Sequence, residues 1–282
     1  MIIGLDLEKE YSQISYYSDR AGEPETVSIV ENQDKYLIPT PEGLLRERGK
    51  EKVRDLAEFI KSCISYLRPV THMTDIFLMI TMREIRQPWI DWLHDACQML
   101  GMDRENVFLQ SYQESFFYYV LNQKKELWNH DAALFEYTQS GICSWLMKID
   151  NRTRPALVTV IQGEKIHLGS PAGRSETEWN TVRDQKFLEL IQSTFQEEIV
   201  SSTFLIGDSF DKTWAVESLQ YLCRKRHVFQ GKNLYTKGAC YAMCHKLHIG
   251  KNLDAWLYQS EDMTEYNISM QMNIRGQKTD YM

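Results

Sequence analysis

The chain has 282 residues, of which 43% are hydrophobic and 25% charged, and its formal net charge is −7. This length and composition predict a globular protein of two lobes with a sizeable core. The negative charge argues against a protein that coats nucleic acid, and no apolar run reaches the 18 residues typical of a membrane span. The start carries no signal-peptide pattern and the 6 cysteines form no disulfide framework, so we expect a cytoplasmic protein.

The first half of the chain predicts a β-meander followed by alternating helices and strands. The meander strands are expected over 2–7, 13–17 and 26–30. Apolar spacing then predicts a helix over 53–67, a buried strand over 75–81, a helix from Pro88 that Gly101 caps, a strand over 107–109 and a helix over 112–127.

The second half repeats this order in outline. We expect meander strands over 132–137, 142–149 and 156–162, then a helix over 176–200, a strand over 202–206 and helices over 214–225 and 235–247. An alternating segment over 266–275 predicts a strand without a later partner, which pairs with an earlier element or begins a further one. The predicted domains are a first lobe (1–131), a second lobe (132–255) and a C-terminal strand-like extension (256–282).

Several segments at predicted strand ends and helix starts carry the chemically informative residues. They read GLDLEKEYS (4–12), SYQESFFYY (111–119), EYTQSG (136–141), LIGDSF (205–210) and NLYTKGAC (233–240). With the duplicated order of elements over about residues 1 to 250, these segments resemble the actin-like ATPase superfamily of actin, sugar kinases and seventy-kilodalton heat-shock chaperones. The chain is also similar to a bacterial family of actin-like proteins without an assigned reaction. The resemblance implies an α/β, ribonuclease-H-like duplicated fold with a nucleotide between its lobes.

The first phosphate hairpin of that superfamily corresponds to residues 4–12. The resemblance implies that Asp6 is the metal-associated aspartate, acting through Mg²⁺, and that Lys9 and Ser12 contact phosphate. Glu8 replaces a glycine and Glu10 a threonine of the chaperone pattern. Carboxylates beside a triphosphate repel it unless a metal ion or Lys9 intervenes, so this hairpin departs from the family's phosphate chemistry.

The second phosphate hairpin corresponds to residues 136–141. The resemblance implies a catalytic or metal-facing role for Glu136, opposite Asp6 across the cleft, and phosphate contacts for Ser140 and Gly141. The alternative is that both acids only cap turns at strand ends. Gly141 is the one glycine that this hairpin retains, and the bulky Tyr137 and Gln139 are expected to narrow the phosphate pocket.

The adenosine side of the superfamily site corresponds to a set of residues that the resemblance marks as cofactor-binding: Gly207, Asp208, Ser209, Lys237 and Gly238. Between the hairpins, Ser111 replaces the family's carboxylate, and aromatic residues replace the alanines of the helix that follows. The hinge between the lobes is therefore expected to be stiffer or to pack differently. The outer subdomains, at about 31–52 and 167–178, are reduced.

Three functions remain open at this point. The first is a degenerate nucleotide-binding domain that serves as a regulatory or scaffold module without efficient ATP hydrolysis. The second is an active Mg-ATP-dependent ATPase or kinase with unusual loops, and the third is a scaffold that binds protein and no ligand. The cofactor is accordingly ATP or ADP with Mg²⁺, or none. We expect a protein partner, and neither nucleic acid nor membrane.

Two further patterns have both a structural and a functional interpretation. Cys240, Cys244 and His248 are spaced to share a helical face, which fits buried cysteines or a metal site. No acidic residue lies between Glu217 and Asp254, where seven lysines and arginines fall, so this stretch is a solvated basic face or a site for an anion or an acidic partner.

Overall fold

The computed structural model describes most of the chain and contains two mixed sheets with helices packed against them. The described residues are 1–18, 20–30, 36–46, 52–67, 72–138, 140–169, 171, 173–196, 198–207, 210, 214–260, 263, 270–274 and 277–281. Within these ranges no helix is both long and apolar enough to cross a membrane.

The first lobe contains a sheet of order β3-β2-β1-β5-β6, with β4 paired to β2. Strands β1 to β3 form the antiparallel meander, β5 runs parallel to β1, and β6 runs parallel to β5. The elements are β1 (Ile2–Asp6), β2 (Tyr11–Tyr17), β3 (Pro24–Thr26), β4 (Ile38–Pro39), α1 (Lys52–Ser65), β5 (Phe77–Met82), α2 (Gln87–Met99), β6 (Val107–Ser111) and α3 (Tyr112–Asn122).

The second lobe contains a sheet of order β11-β10-β7-β8-β9-β12. Strands β7 to β9 form a second antiparallel meander, and β10 and β11 extend it in parallel. The elements are β7 (Asp131–Thr138), β8 (Gly141–Asp150), β9 (Ala156–Ile166), α4 (Glu176–Thr194), β10 (Val200–Ile206), α5 (Val216–Leu222), β11 (His227–Gly231), α6 (Leu234–Lys246) and β12 (Trp256–Tyr258).

The two lobes repeat the same chain path, which confirms the predicted duplication. In each lobe a meander leads to a helix, a parallel strand, a second helix, a second parallel strand and a last helix. Strand β11 is the counterpart of β6 and was not predicted, because its residues are largely exposed and lack a buried apolar run. The duplication itself was the signal that could have placed it.

Several predicted boundaries are corrected by pairing and packing. Helix α3 ends at Asn122 and not near residue 127, since a short 3₁₀ turn, Lys125–Trp128, follows it. Helix α4 ends at Thr194 because the chain from Val200 pairs with β7 as part of β10. The third meander strand covers Pro24–Thr26, ahead of its predicted position.

The C-terminal region differs from its prediction. Strand β12, at the start of the predicted extension, pairs in parallel with β9 of the second lobe. Strand β13 (Met270–Ile274) has a later partner after all, since it pairs antiparallel with β14 (Gln277–Tyr281). The expectation of a strand without a later partner was wrong because residues 277–281 were not recognised as a strand.

Helices α3 and α6 pack against each other between the two sheets. A Cβ atom added at Gly238 of α6 would lie 2.0 Å from the Ser115 carbonyl oxygen of α3, and one added at Gly4 of β1 would lie 2.2 Å from the Thr236 carbonyl oxygen. Small residues therefore set the distance between the lobes. The Thr236 hydroxyl also donates to the Gly4 carbonyl (2.8 Å), which fixes α6 on β1.

Candidate functional site

The site begins where two parallel strands of the first lobe end side by side. Asp6, the last residue of β1, pairs with Thr81 of β5, and Arg83 follows β5 directly. Glu8 lies in the turn from β1 to β2. Because the carboxyl ends of parallel strands share one edge of a sheet, this topology brings two acids and an arginine to the face between the lobes.

Arg83 connects the two lobes through a pair of carboxylates. Its Nη1 and Nη2 donate to the two Glu136 oxygens of β7 (2.9 and 2.7 Å), in the bidentate geometry that suits a guanidinium. Its Nε and Nη2 donate to Glu8 Oε2 (3.2 and 3.1 Å). The Glu136 side chain is only 7% exposed, whereas that of Arg83 is 39% exposed. We call these three residues the interlobe bridge.

The charges of the interlobe bridge reinforce one another. Burial by itself lowers the pKa of Arg83, but the hydrogen bonds and charge of Glu136, together with the charge of Glu8, raise this pKa well above its usual value. The guanidinium also lies over the Tyr112 ring, 5.0 Å from its centroid. Arg83 is therefore a permanent cation whose hydrogen-bond donors already point at two acids.

Asp6 lies beside the bridge and binds a tyrosine. The Tyr112 hydroxyl donates to Asp6 Oδ1 (2.6 Å) and lies 3.2 Å from Glu8 Oε2. Burial raises the pKa of Asp6 to about 8, and the charges of Glu8 and Glu136 add to the rise while Tyr112 and Arg83 oppose it. Asp6 therefore favours its protonated form at neutral pH, and a metal ion that bound there would have to displace this proton.

The other predicted residues of the first hairpin do not join this cluster. Lys9 is exposed in the turn, where its backbone N–H donates to Glu8 Oε1 (3.2 Å). The Ser12 hydroxyl is buried and shares a hydrogen bond of 2.8 Å with Thr40 of the neighbouring segment. Both residues therefore have local structural contacts. Of the predicted residues that the structure describes, only Glu136 belongs to the bridge and only Asp6 lies beside it.

The second hairpin is shaped by strand packing. Gly141 has a φ of 128°, and a Cβ atom there would lie 1.9 Å from the Ile166 carbonyl oxygen of β9. Ser140 is exposed and its hydroxyl shares a hydrogen bond of 3.0 Å with Thr138. The close approach of β8 and β9 is therefore sufficient to explain why residue 141 is a glycine. A phosphate contact is not needed to explain it. Gln139 lies outside the described residues.

The adenosine side of the predicted site adjoins an aromatic cluster. Gly207 has a φ of 114°, and a Cβ atom there would lie 2.5 Å from the Tyr137 carbonyl oxygen. The Tyr137 ring packs edge-on against Phe210 and Trp214, at centroid distances of 5.5 and 5.9 Å. Asp208 and Ser209 lie outside the described residues. The side chain of Tyr137 thus faces the second-lobe core and not the bridge.

The two remaining cofactor predictions lie on α6. Gly238 marks the contact of α6 with Ser115, as described above, and Lys237 is half-buried next to it. Ser111, which stands where the superfamily has a carboxylate, accepts a hydrogen bond from the Glu114 backbone N–H (3.2 Å), while Glu114 accepts one from the Ser111 backbone N–H (3.0 Å). This capping box gives Ser111 a role in starting α3.

Sequence reasoning missed three residues of the site. Arg83 was recognisable as a charged residue directly after a buried strand that runs beside β1. Tyr112 and Tyr235 begin the two equivalent helices α3 and α6, and their rings stack with centroids 3.8 Å apart. Both tyrosines were assigned to helices by apolar pattern, and no local signal separates a stacked tyrosine from a core one.

The cysteines of α6 belong to the packing of the first sheet. Cys240 and Cys244 are buried, and the Cys240 thiol donates to the Ser15 carbonyl oxygen (3.3 Å). His248 lies beyond the helix end with a φ of 55°. Across the described part of the chain, no group of three or more histidine, cysteine or acidic residues is arranged to hold a metal ion.

Comparison with protein families gives a match over most of the chain. Residues 43–261 match the model of a family of unknown function (DUF5716), C-terminal part. The chain belongs to this family. The match starts after β4, so Asp6 and Glu8 lie before the family region, whereas Arg83, Tyr112 and Glu136 lie within it. None of the curated proteins matches the chain.

Comparison with solved structures shows the fold. The inorganic polyphosphate/ATP-glucomannokinase of Arthrobacter sp. strain KM has a TM-score of 0.52 at 11% identity, with 87% of this chain and 98% of that chain covered. A glucokinase from an Antarctic psychrotroph (TM-score 0.49, 9% identity, 86% and 98% covered) is also similar. So is a Bacteroides thetaiotaomicron protein with actin-like ATPase fold and unknown function (TM-score 0.42, 9% identity, 85% and 95% covered). The chain has the actin-like ATPase fold, as the sequence resemblance implied.

Proposed function

We propose that this protein is a non-catalytic actin-like module, a regulatory or scaffold domain that does not hydrolyse ATP efficiently. The observation that carries the proposal is the interlobe bridge, in which Arg83 binds Glu8 and Glu136 between the two hairpins. An actin-like enzyme leaves this space to phosphate and metal. Here Arg83 and two carboxylates of the chain itself lie in this space and bind one another.

Electrostatics oppose a triphosphate in this position. To bind Arg83, a phosphate would have to displace both glutamates, which would then lie next to it as unpaired charges. Glu136 is the more costly of the two to release, because its side chain is 7% exposed and has little access to water. The resemblance assigns Asp6 to Mg²⁺, but here Asp6 accepts a hydrogen bond from the Tyr112 hydroxyl. The carboxyl group of Asp6 also favours its protonated form at neutral pH.

The adenosine side supports the same interpretation. Tyr137, Phe210 and Trp214 pack together beside Gly207, and Trp214 is 2% exposed. The glycines that made this region similar to a nucleotide site are explained by close backbone contacts within the protein.

Isothermal titration calorimetry tests the proposal. Magnesium-ATP, magnesium-ADP and adenosine are titrated separately into the wild type and into Asp6→Ala, with circular dichroism to verify that both are folded. We expect no saturable heat up to about 1 mM nucleotide. Micromolar binding by the wild type that Asp6→Ala removes, together with phosphate release, would overturn the proposal and establish the ATPase or kinase alternative.

A further inference from the structure

Strand β6 forms one edge of the first sheet. Its residues Val107 to Ser111 pair with Leu78 to Met82 of β5 on one side. In the part of the chain that the structure describes, no strand pairs with the other side. An edge strand offers backbone N–H and C=O groups that another extended segment can bind.

A groove lies alongside this edge, between β6 and α2. Its volume of about 520 Å³ is in the range of sites that bind small ligands or side chains. It is lined mostly by apolar side chains, with three polar residues among them: Ile85, Ile90, His94, Arg104, Glu105, Val107, Phe108 and Leu109. A free strand edge and an apolar groove therefore occur side by side.

The two faces of β6 differ in what covers them. Phe108 belongs to the face that α6 covers, where the Lys246 ammonium lies 4.4 Å from its ring centroid. Val107 and Leu109 belong to the α2 face, with Leu109 only half-buried. Because side chains alternate along a strand, a segment added at the β6 edge would direct every second side chain into the groove.

The groove contains one cation, Arg104, and one acid, Glu105, so it favours a negatively charged group only at the position beside Arg104. Arg104 makes no ion pair within the described residues and lies close enough to His94 for its charge to act there. His94 Nδ1 is buried without a hydrogen-bond partner among the described atoms. Burial, and then the charge of Arg104, lowers the pKa of His94, so Arg104 carries the positive charge at neutral pH. Asp91 and Asp95, on α2, also face this histidine.

We propose that the groove between β6 and α2 binds an extended peptide segment of a partner protein. The segment adds as a strand to the free edge of β6, inserts an aliphatic side chain against Ile90 and Leu109, and places an acidic side chain beside Arg104. A peptide fits better than a free small molecule because the open backbone edge runs along the groove. The inference goes beyond the proposed function and does not depend on what the cleft binds.

The test measures binding of labelled peptides by fluorescence anisotropy. The probe is a peptide of about eight residues that alternates threonine with isoleucine and carries one aspartate. Three matched peptides replace the aspartate with lysine, the isoleucines with alanine, or a central threonine with proline. We expect saturable binding of the probe, and affinity at least about 10-fold weaker for each matched peptide, because each loses one of the three contacts.

Protein variants locate the site. Arg104→Gln should weaken probe binding about 10-fold, whereas Glu105→Gln, on the adjacent residue, should leave it equal or tighter. Both positions are exposed, so both variants should fold, as thermal melting verifies. The inference is overturned if no peptide binds, if Arg104→Gln binds like the wild type, or if the proline peptide binds equally well. It is also overturned if size-exclusion chromatography shows a dimer that excess probe peptide dissociates, because a second copy of the chain then occupies β6.

Discussion

Tyr112 and Tyr235 stack face to face across the two lobes, with ring centroids 3.8 Å apart and planes inclined by 12°. They occupy equivalent places at the starts of α3 and α6, and three residues further on Ser115 and Gly238 form a close contact between these helices. The duplicated fold thus brings two pairs of equivalent residues into contact, Tyr112 with Tyr235 and Ser115 with Gly238. Their hydroxyls differ, since that of Tyr112 binds Asp6 and that of Tyr235 is buried with no partner among the described atoms.

Tyr235→Phe should leave the protein as stable as the wild type or raise its free energy of unfolding by up to about 1 kcal/mol. The substitution removes a buried hydroxyl without a partner and keeps the stacked ring. The matched variant Tyr112→Phe should lower the free energy of unfolding by about 1 to 2 kcal/mol, because it leaves the Asp6 carboxyl without its donor. Urea denaturation measures both. Equal losses in the two variants would mean that the Tyr235 hydroxyl has a partner.

Arg83 and Glu136 should be energetically coupled. Arg83→Gln and Glu136→Gln should each lower the free energy of unfolding by about 1 to 3 kcal/mol, and the double variant should lose less than the sum of the two. A double-mutant cycle by urea denaturation measures the coupling. Asp150, the last residue of β8, and the exposed Arg152 in the turn after it serve as the control and should show a coupling below about 1 kcal/mol. Additive losses at Arg83 and Glu136 would contradict the interlobe bridge.

Asp6 should make stability depend on pH. Its pKa is about 8 in the folded protein against a reference value of 3.8, so the folded state binds the proton more tightly. The stability that this tighter proton binding contributes is fully present below about pH 4 and is lost as the pH rises through about 8. Between these limits the free energy of unfolding of the wild type should fall by up to about 1.4 kcal/mol per pH unit more than that of Asp6→Asn. Urea denaturation from about pH 5 to about pH 8 measures this, and parallel profiles would refute it.

Gly238→Ala should destabilise the protein by at least about 2 kcal/mol or prevent its folding. The added Cβ atom would lie 2.0 Å from the Ser115 carbonyl oxygen, so the two helices must move apart. The matched control is Gly231→Ala at the end of β11, where nothing lies within 4 Å of the added atom. Soluble yield and thermal melting compare the two variants. A Gly238→Ala protein that melts with the wild type would show that α3 and α6 are not in close contact.

Much of the fold could be predicted because its signals are local. Apolar runs located β1, β5 and β10, and the change from a two-residue to a helical period located α1, α2 and α4. The repeated order of elements indicated the duplication. Strand β11 was not predicted because its side chains are mostly exposed. Its backbone pairing with β10 also produces no apolar pattern in the sequence.

The site was predictable only in part. Asp6 and Glu136 were identified because each stands where an alignable hairpin motif has an acid. Arg83 belongs to no such motif, and its role depends on β5 lying beside β1 and on the second lobe closing over it. Lys9 and Ser12 stand at the expected positions of the motif. In the folded chain, however, Lys9 is exposed and the Ser12 hydroxyl shares a hydrogen bond with Thr40.

The sequence by itself determined the duplicated α/β architecture, the departure of the phosphate hairpins from the chaperone pattern, and the acids that face the cleft. These properties follow from residue type and spacing along the chain. Only the tertiary structure decided that Arg83 joins Glu8 and Glu136, that Tyr112 stacks on Tyr235, and that Gly141 and Gly238 serve backbone packing. The physical reason is that these contacts join residues tens to more than a hundred positions apart, and their energies depend on distances and burial that the lobes set together.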